Sequence, residues 1–319
     1  MTMSVLLIVL KILLGAGILL LALSFLLFLT VFCVPFRKKE PSEEIQLPPG
    51  KIYEPFWEDM RKWVLETRDL PCVQMQITSF DGLTLYGRYY ELFPGAPIEL
   101  MFHGYRGNAE RDLSGGVRRC REVGHNVLLV DQRCSGRSDG NVITFGIKEH
   151  RDCLCWIDHM ITYFGPDVRI ILTGVSMGAA TVLMAAGREL PENVIGVLAD
   201  CGFSSAKDII ITVAESVHLP GRALYPLVKL GAKLFGRFDP DAYSPVEAMQ
   251  TCNLPVIFFH GEADDFVPAS MSRKNYETCA SRHKRLVLMP GAGHGLSYPA
   301  AQEEYIRQAR EFFHPERVG

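Results

Sequence analysis

The sequence predicts an α/β fold, in which a mostly parallel β-sheet is covered by helices on both faces. The main observation is that, from residue 98 onward, short apolar runs alternate with helix-length segments. Strands joined by helices in this way run parallel, and the helices pack against both faces of the sheet. The second observation is size, because 319 residues with 48% hydrophobic composition suffice for one large domain or two small ones.

An uncharged apolar run stands before this domain. Ile12 to Val34 contains 23 residues without a charge, and a helix of that length spans about 35 Å against about 30 Å of hydrocarbon in a bilayer. A cleaved signal peptide is the alternative, but the run is longer than a usual signal and no small-x-small cleavage pattern precedes the basic cluster. We therefore expect residues 1–39 to form a retained, single-pass anchor in the cell membrane.

The charges that flank the run predict its orientation. Arg37, Lys38 and Lys39 follow the run, whereas Lys11 and the α-amino group precede it. The positive-inside rule therefore favours a cytoplasmic location for the C-terminal domain.

The segment after the run is expected to connect the anchor to the domain. Residues 40–50 are acidic and rich in proline, which is typical of an exposed linker. The folded domain is expected to span 51–319. At its start, the apolar residues of 52–64 fall on one helical face, which predicts a helix packed on the domain; a helix resting on the membrane surface is the alternative.

The apolar pattern also predicts the order of the elements. Two alternating runs around Asp81-Gly82 predict a β-hairpin. Strands are predicted at 98–102, 126–131, 169–173, 194–200, 255–260 and 285–289, and helices near 108–123, 147–164, 177–189, 268–281 and 300–313. About fifty residues separate Asp200 from Pro255, where about a dozen would suffice for one helix. We therefore interpret 203–253 as a helical cap over the carboxyl ends of the strands.

The composition argues against several kinds of partner. A net charge of −3 without a long basic run argues against nucleic acid. Nine cysteines, an odd number without the spacing of a disulfide framework, indicate a reduced compartment. No G-x-G-x-x-G, P-loop or H-E-x-x-H pattern occurs, so we expect neither a cofactor nor a metal. The sequence does not indicate an oligomeric state.

The segment Gly174-Val175-Ser176-Met177-Gly178 is typical of a nucleophile elbow, because it follows an apolar strand and begins an Ala-rich helix. Small residues at 174 and 178 leave room for a tight turn that exposes Ser176. A serine needs a histidine to take its proton and a carboxylate to orient that histidine. The backbone N–H of Met177, directly after the nucleophile, is a candidate oxyanion donor.

Candidates for the two partners lie after later strands. The segment 260–268 offers acids at Glu262, Asp264 and Asp265, and Asp200 at an earlier strand end is a reserve candidate. His294 follows the last strand and is favoured as the base over His103, because the order Ser, acid, His is the one that follows a nucleophile elbow.

These segments together resemble the α/β-hydrolase superfamily of serine hydrolases, from about Cys72 to Phe313. The superfamily's H-G-x-x-D-x-x-V-P arrangement implies Asp264 as the acid, with Asp265 as the second candidate, and its H-G-x motif implies the Tyr105 backbone N–H as the other oxyanion donor. More narrowly, the segments 131–140 and 144–146 look like bacterial membrane-anchored hydrolases related to acyl-peptide hydrolases and cinnamoyl esterases. The chain departs from that branch at residues 134 and 135, where Cys and Ser replace its usual small residue and His.

The remaining cysteines and histidines have structural interpretations. His150, Cys153, Cys155 and His159 lie close together in a predicted helix, but residues two apart on a helix do not face one another and the spacing is not that of a metal site. Cys201, beside a strand end, is interpreted as a small buried residue that lines the pocket.

The resemblance implies a serine hydrolase that cleaves carboxylic esters, with lipid-derived acyl groups as plausible substrates because of the membrane helix and apolar cap. Peptide or amide cleavage by the same residues is the nearest alternative. A non-catalytic, membrane-tethered binding protein on the same scaffold is the alternative from another class.

Overall fold

The computed structural model describes residues 3–34 and 44–314 of the 319-residue chain. Three predicted features lie wholly or partly outside these residues: the basic cluster at 37–39, the linker residues 40–43 and the last five residues of the domain. The orientation argument, which depends on the basic cluster, therefore stays a prediction.

A single eight-stranded sheet organises the described part of the domain. Its strands are β1 (Val73–Thr78), β2 (Thr84–Tyr90), β3 (Ile98–Phe102), β4 (Asn126–Asp131), β5 (Ile170–Val175), β6 (Val194–Asp200), β7 (Val256–Gly261) and β8 (Lys284–Met289). Their order across the sheet is β1-β2-β4-β3-β5-β6-β7-β8. The first two pairings are antiparallel and the others are parallel, so the predicted, mostly parallel sheet is confirmed.

Eleven α-helices surround or precede this sheet in the described residues. They are α1 (Met3–Val31), α2 (Trp57–Arg68), α3 (Ala109–Val123), α4 (Glu149–Phe164), α5 (Met177–Ala186), α6 (Ala206–Ser216), α7 (Gly221–Gly231), α8 (Pro245–Met249), α9 (Ala269–Thr278), α10 (Ser297–Ala300) and α11 (Gln302–Phe313). A 3₁₀ turn at Glu54–Phe56 precedes α2, and one π-helical segment, Ala232–Gly236, continues α7.

The core lies on both faces of the sheet because successive residues of a buried strand point to opposite sides. On β4, Leu128 and Val130 face Trp156 of α4, whereas Val127 and Leu129 face Leu113 of α3. Helices α4, α5, α8 and α9 cover the first face, and α2, α3 and α11 cover the second. The expectation that helices cover both faces is confirmed.

The first helix of the domain begins later than predicted. The sequence pattern favoured a helix over 52–64, but α2 starts at Trp57, after a turn that carries Gly50 and Pro55. Proline fixes its own φ and restricts the residue before it, which separates Ile52 from the helix. Met60, Trp63 and Val64 are the buried apolar residues of α2, so it packs on the domain as expected.

The helix α1 is long and apolar enough between Val5 and Val31 to cross a bilayer. Its last two turns dock on the domain along one stripe, which we call the docking stripe: Ser24, Leu27, Phe28, Val31 and Phe32. Phe32 is fully buried and its ring contacts those of Phe145 and Phe238 edge-on, at centroid distances of 5.7 and 5.2 Å. The domain therefore holds the end of α1 as part of its own core.

The insertion between β6 and β7 is helical, as predicted, and comprises α6, α7, the π segment and α8. Helix α7 packs against α1 where Gly231 faces Ser24: a Cβ on Gly231 would lie 2.4 Å from the Ser24 carbonyl oxygen. Glycine at this position therefore allows the close approach of the two helices.

Candidate active site

Ser176 lies in the tight turn between β5 and α5. Its φ of +56° is in the left-handed region, which costs about 1–3 kcal/mol for a residue with a side chain. A Cβ on Gly174 would lie 2.2 Å from the Gly178 oxygen, and one on Gly178 would lie 2.0 Å from the Phe102 oxygen. The turn therefore requires glycine at both positions, as the sequence pattern indicated.

The structure brings Ser176, His294 and Asp264 together. Ser176 Oγ lies 3.0 Å from His294 Nε2, and His294 Nδ1 lies 2.8 Å from Asp264 Oδ2. The three residues follow β5, β8 and β7, so the sheet converges all three at its carboxyl edge. With the proton on Nδ1, Nε2 is free to accept the serine hydroxyl proton.

Asp264 is held as a carboxylate. Its Oδ1 accepts hydrogen bonds from the backbone N–H groups of Phe266 and Val267, at 3.0 and 2.8 Å. His260 Nε2 lies 3.3 Å from Oδ2. Burial raises the pKa of Asp264, but the hydrogen bonds from His260 and His294 outweigh this and lower the pKa to about 2.

Two backbone N–H groups near Ser176 have no acceptor among the described residues. Met177 is the first residue of α5, where helix geometry leaves the N–H unpaired. Tyr105 lies in the loop after β3, which Asp112 fixes by accepting the Gly104 N–H at 3.2 Å. Gly104 is adjacent to the nucleophile, since a Cβ there would lie 3.6 Å from the Ser176 Cβ.

The end of α1 contacts the same loop. The Tyr105 hydroxyl donates to the Val31 carbonyl at 2.7 Å, and the Tyr105 ring packs on Phe145 at 5.2 Å. Arg106 Nη2 donates to the carbonyls of Thr30, at 2.7 Å, and Cys33, at 3.1 Å. The carbonyls of Thr30 and Val31 are among those that a helix end leaves without partners, so the loop supplies hydrogen-bond donors to the end of α1.

A mostly apolar cavity of about 650 Å³ opens beside Ser176 and His294. This volume is typical of small-molecule sites. Its lining includes residues 48–53, Met60 and Trp63 of α2, Leu113 of α3 and Leu198 of β6. Tyr53 is part of this lining, and burial raises the pKa of its hydroxyl to about 12, so the group is a neutral hydrogen-bond donor.

The insertion 203–253 was expected to cover the site, but none of the residues that line the cavity belongs to it. The reason is packing: α6, α7 and the end of α1 form a separate apolar cluster with Phe145 and Phe203 on the far side of Tyr105. The segment 48–53 covers the cavity instead.

The rival candidates form other hydrogen bonds. His103 is buried, with Nδ1 2.8 Å from the Gly104 oxygen and Nε2 accepting the Gln132 N–H, and burial lowers its pKa. Asp200 accepts the Ser297 hydroxyl at 2.7 Å, and burial raises its pKa. Asp265 and Glu262 are exposed.

Cys201 lies beside Asp264 and His294, but it is not expected to act as a nucleophile. Its Sγ and ligand atoms of Asp264 and His294 lie within 4.8 Å of one another, so these three residues could hold a metal ion. Such an ion would compete with the bond between Asp264 and His294, the residue that also bonds to Ser176. Burial raises the pKa of Cys201 well above its usual value, which keeps it a thiol.

The other candidate cysteines and histidines lie on α4 away from the cavity. His150 is buried, with Nδ1 2.8 Å from the Gly146 oxygen, and Cys153 is buried in the core. His159 contacts the rings of Trp156 and Tyr163, and Cys155 is half-buried. A second group that could hold a metal, Glu99, Cys120 and His125, is buried, and Arg119 already pairs with Glu99 at 2.9 Å.

Sequence patterns missed several residues of the site. His260 was recognised as part of a motif, but its contact with Asp264 was not predicted. Tyr53 and the wall at 48–53 were assigned to a linker and a helix face. The one available signal was Pro48-Pro49-Gly50, which favours a fixed turn rather than a flexible connection.

Known proteins similar to this chain include an esterase and several proteins described as uncharacterized. The profile of the prolyl oligopeptidase family matches residues 144–316, which is more than half of the chain and includes Ser176, Asp264 and His294. YqkD of Bacillus subtilis, described as uncharacterized, is 26% identical over 245 residues, covering 75% of this chain and 80% of YqkD. An uncharacterized membrane protein of Saccharomyces cerevisiae is 28% identical over 179 residues, which is 54% of this chain and 56% of the yeast protein.

Among solved structures, the esterase Pf2001 of Pyrococcus furiosus superimposes with a TM-score of 0.63. The match covers 85% of this chain and 98% of the esterase, at 21% sequence identity. At this identity the structural similarity establishes the α/β-hydrolase fold, as the sequence predicted. It does not indicate which substrate this chain cleaves.

Proposed function

This chain belongs to the prolyl oligopeptidase family and is a hydrolase of the α/β fold, and we propose that it is a membrane-tethered serine hydrolase that cleaves carboxylic esters. The observation that carries the proposal is the continuous path from Ser176 Oγ through His294 to Asp264, with distances of 3.0 and 2.8 Å. The uncharged stretch of α1 supports the tether.

In the proposed reaction, Ser176 Oγ attacks the carbonyl carbon of the ester while His294 Nε2 takes its proton. The resulting oxyanion accepts hydrogen bonds from the N–H groups of Tyr105 and Met177. The C–O bond then breaks, His294 returns the proton to the leaving alcohol, and the acyl group stays on Ser176. Water, deprotonated by His294, releases the acid and restores the serine.

Asp264 orients His294 and stabilises the imidazolium that forms in each step. The two backbone N–H groups that bond to Asp264 hold its carboxylate in place, and His260 Nε2, which bonds to the Val267 oxygen at 2.8 Å, contacts it at 3.3 Å. We propose no metal and no cofactor, because a serine, a base, an acid and two N–H donors suffice for acyl transfer.

The apolar cavity favours a hydrophobic acyl chain. Each buried methylene contributes about 0.8 kcal/mol, which corresponds to about a fourfold gain in kcat/KM per carbon while the cavity fills. The test is a series of p-nitrophenyl esters, from acetate to decanoate, with the full-length protein in detergent micelles. We expect kcat/KM to rise with chain length and then level off.

Two serine variants control that test. Ser176→Ala should lose turnover while keeping its thermal unfolding profile. Ser281→Ala is the matched control, because Ser281 precedes β8 and therefore lies at the opposite edge of the sheet. Turnover that survives in Ser176→Ala would exclude Ser176 from the mechanism and overturn the proposal.

Peptide or amide cleavage is the second candidate, favoured by the family's name and by the fact that the same groups serve both reactions. Anilides with the same acyl groups as the ester series distinguish the two candidates. A higher kcat/KM for the anilides than for the esters would assign the chain to peptidases or amidases.

A further inference from the structure

The end of α1 lies within the stretch that crosses the bilayer in the proposed function. From Val5 to Val31 the helix is about 40 Å long, which exceeds the hydrocarbon thickness of about 30 Å. Lys11 is the one charged residue in this stretch, and charged side chains favour the interface. With Lys11 at one interface, Ile12–Val31 fills the hydrocarbon, and the docking stripe from Ser24 to Val31 lies inside it.

The domain residues that contact this part of α1 must lie at the same depth. The ring of Phe25 contacts that of Phe235 edge-on at 4.9 Å, and the ring of Phe28 lies 5.9 Å from it. Phe235 belongs to the π segment after α7. Because Phe25 and Phe28 lie six and three helical residues before Val31, Phe235 lies about 5–9 Å deeper than the end of α1.

The residues around this contact expose apolar side chains. Leu230, Leu234 and Phe235, which we call the cap tip, have exposed fractions of 36, 51 and 40%. Leu230 and Leu234 are four residues apart and therefore share one helical face. This exposed face continues directly into the exposed apolar surface of α1.

Two of the three cations beside the cap tip, Lys229 and Lys233, are paired, and the third, Arg237, is exposed. Lys229 Nζ lies 2.7 Å from an oxygen of Asp241 and 3.3 Å from one of Asp239, and Lys233 Nζ lies 2.7 Å from Asp239. Lys229 and Lys233 therefore form ion pairs with two carboxylates. This pairing lowers the desolvation free energy of placing the segment next to hydrocarbon.

We propose that the cap tip is inserted in the bilayer beside α1, so that lipid acyl chains cover Leu230, Leu234 and Phe235. The proposal rests on the membrane-spanning role of α1 in the proposed function. It assigns the exposed apolar face one occupant, a lipid leaflet, because that face is continuous with the membrane helix and lies at its depth.

The inserted cap tip places the catalytic cavity at the membrane surface. Arg106 lines the cavity and also bonds to the carbonyls at the end of α1. The part of the cavity lined by Arg106 therefore lies at the level where α1 leaves the hydrocarbon. The geometry selects acyl esters that reside in the leaflet over esters dissolved in water.

Quenching of tryptophan fluorescence by brominated lipid chains tests the insertion. The full-length Ser176→Ala protein, which excludes turnover from the measurement, is placed in phosphatidylcholine nanodiscs with or without dibrominated acyl chains. Phe235→Trp and Leu234→Trp are compared with the same protein carrying only its native tryptophans. We expect the added fluorescence of each variant to be quenched at least half as strongly as that of Phe25→Trp.

Phe93→Trp is the matched control, because Phe93 is 38% exposed but lies between β2 and β3, away from α1. Its added fluorescence should be quenched no more than that of the native tryptophans. If Phe25→Trp is quenched and both cap-tip variants behave like Phe93→Trp, the insertion is wrong and the face has another occupant, such as a second copy of the chain. If Phe25→Trp is itself unquenched, the membrane-spanning role of α1 fails and the insertion fails with it.

Discussion

The backbone of Ser176 shows how single residues determine this site. A φ of +56° is unfavourable for serine, and the turn tolerates it because Gly174 and Gly178 allow the chain to pass within van der Waals contact of its neighbours. The strained turn directs the hydroxyl at His294. The same contacts explain why the glycine spacing was a useful signal in the sequence.

Asp264→Asn tests the role of the carboxylate. Asparagine keeps the shape but offers its amide to His294 without a negative charge, so the histidine is held in the wrong tautomer. We expect kcat for p-nitrophenyl butyrate to fall by about 10⁴-fold with little change in KM, as measured by steady-state kinetics.

Asp200→Asn is the control for that variant. Asp200 is equally buried, but its carboxylate accepts from Ser297 and not from His294. We expect kcat to stay within about tenfold of the wild-type value. A larger loss in Asp200→Asn than in Asp264→Asn would exchange the roles of the two acids.

The contribution of Asp264 to the stability of the fold should decrease at acidic pH. Its pKa in the folded state is about 2, below the ordinary value of 3.8, so ionised Asp264 stabilises the fold above pH 3.8 and this contribution is lost as the pH falls towards 2. The difference in thermal unfolding between wild type and Asp264→Asn should therefore narrow from pH 4 to pH 2. A constant difference over this range would contradict the lowered pKa.

At the residue scale, the sequence predicted which side chains come together but not what supports them. The motifs identified Ser176 and His294, and resemblance selected Asp264 among neighbouring acids. The contact of His260 with Asp264 depends on how the loop 261–267 folds back over the end of β7, which no local pattern encodes. The catalytic roles of all these residues stay predictions until turnover is measured.

At the scale of elements, the end of α1 is the least expected part of the fold. Phe32→Ala should remove a fully buried ring from between Phe145 and Phe238 and lower the free energy of unfolding by about 3–5 kcal/mol. Because the same turn holds Tyr105 through Val31, we also expect kcat to fall. Thermal unfolding in detergent and ester hydrolysis measure the two effects.

Leu29→Ala is the matched control for Phe32→Ala. Leu29 belongs to the same turn of α1 but faces away from the domain and is exposed. Its removal should change neither the unfolding temperature nor kcat. Equal effects of the two variants would mean that α1 acts through the micelle and not through its contact with the domain.

The strands were predictable because burial on both faces makes them short, continuous apolar runs. The predicted bounds of β3, β4 and β6 are identical to the observed ones. The docking stripe was not predictable, because α1 is apolar on every side and its sequence does not mark one face. The late start of α2 was missed although a pattern was present. The apolar residues follow helical spacing through Pro55, but the restricted backbone at this proline delays the start of the helix.

At the scale of the whole molecule, described residues before Lys51 belong to the core and to the cavity wall of the hydrolase domain, in addition to the proposed tether. A chain that starts at Lys51 lacks Phe28 and Phe32 of the core and residues 48–50 of the cavity wall. We expect it to unfold at a lower temperature than the full chain and to lose most ester hydrolysis.

A chimera separates the two roles of this segment. Replacing residues 5–23 with an unrelated apolar helix preserves the docking stripe and the bonds to Tyr105 and Arg106. We expect this chimera to keep the unfolding temperature and kcat of the full chain in micelles. Full activity in the chain that starts at Lys51 would show that α1 is only a tether.

The most direct test of the central claim is active-site labelling of the full-length protein with a fluorophosphonate, followed by peptide mass mapping. The probe phosphonylates an activated serine with loss of fluoride, so the account predicts one adduct per chain, on the peptide that contains Ser176, and none in folded Ser176→Ala. An adduct on another serine, or a folded wild-type protein without an adduct, would contradict it.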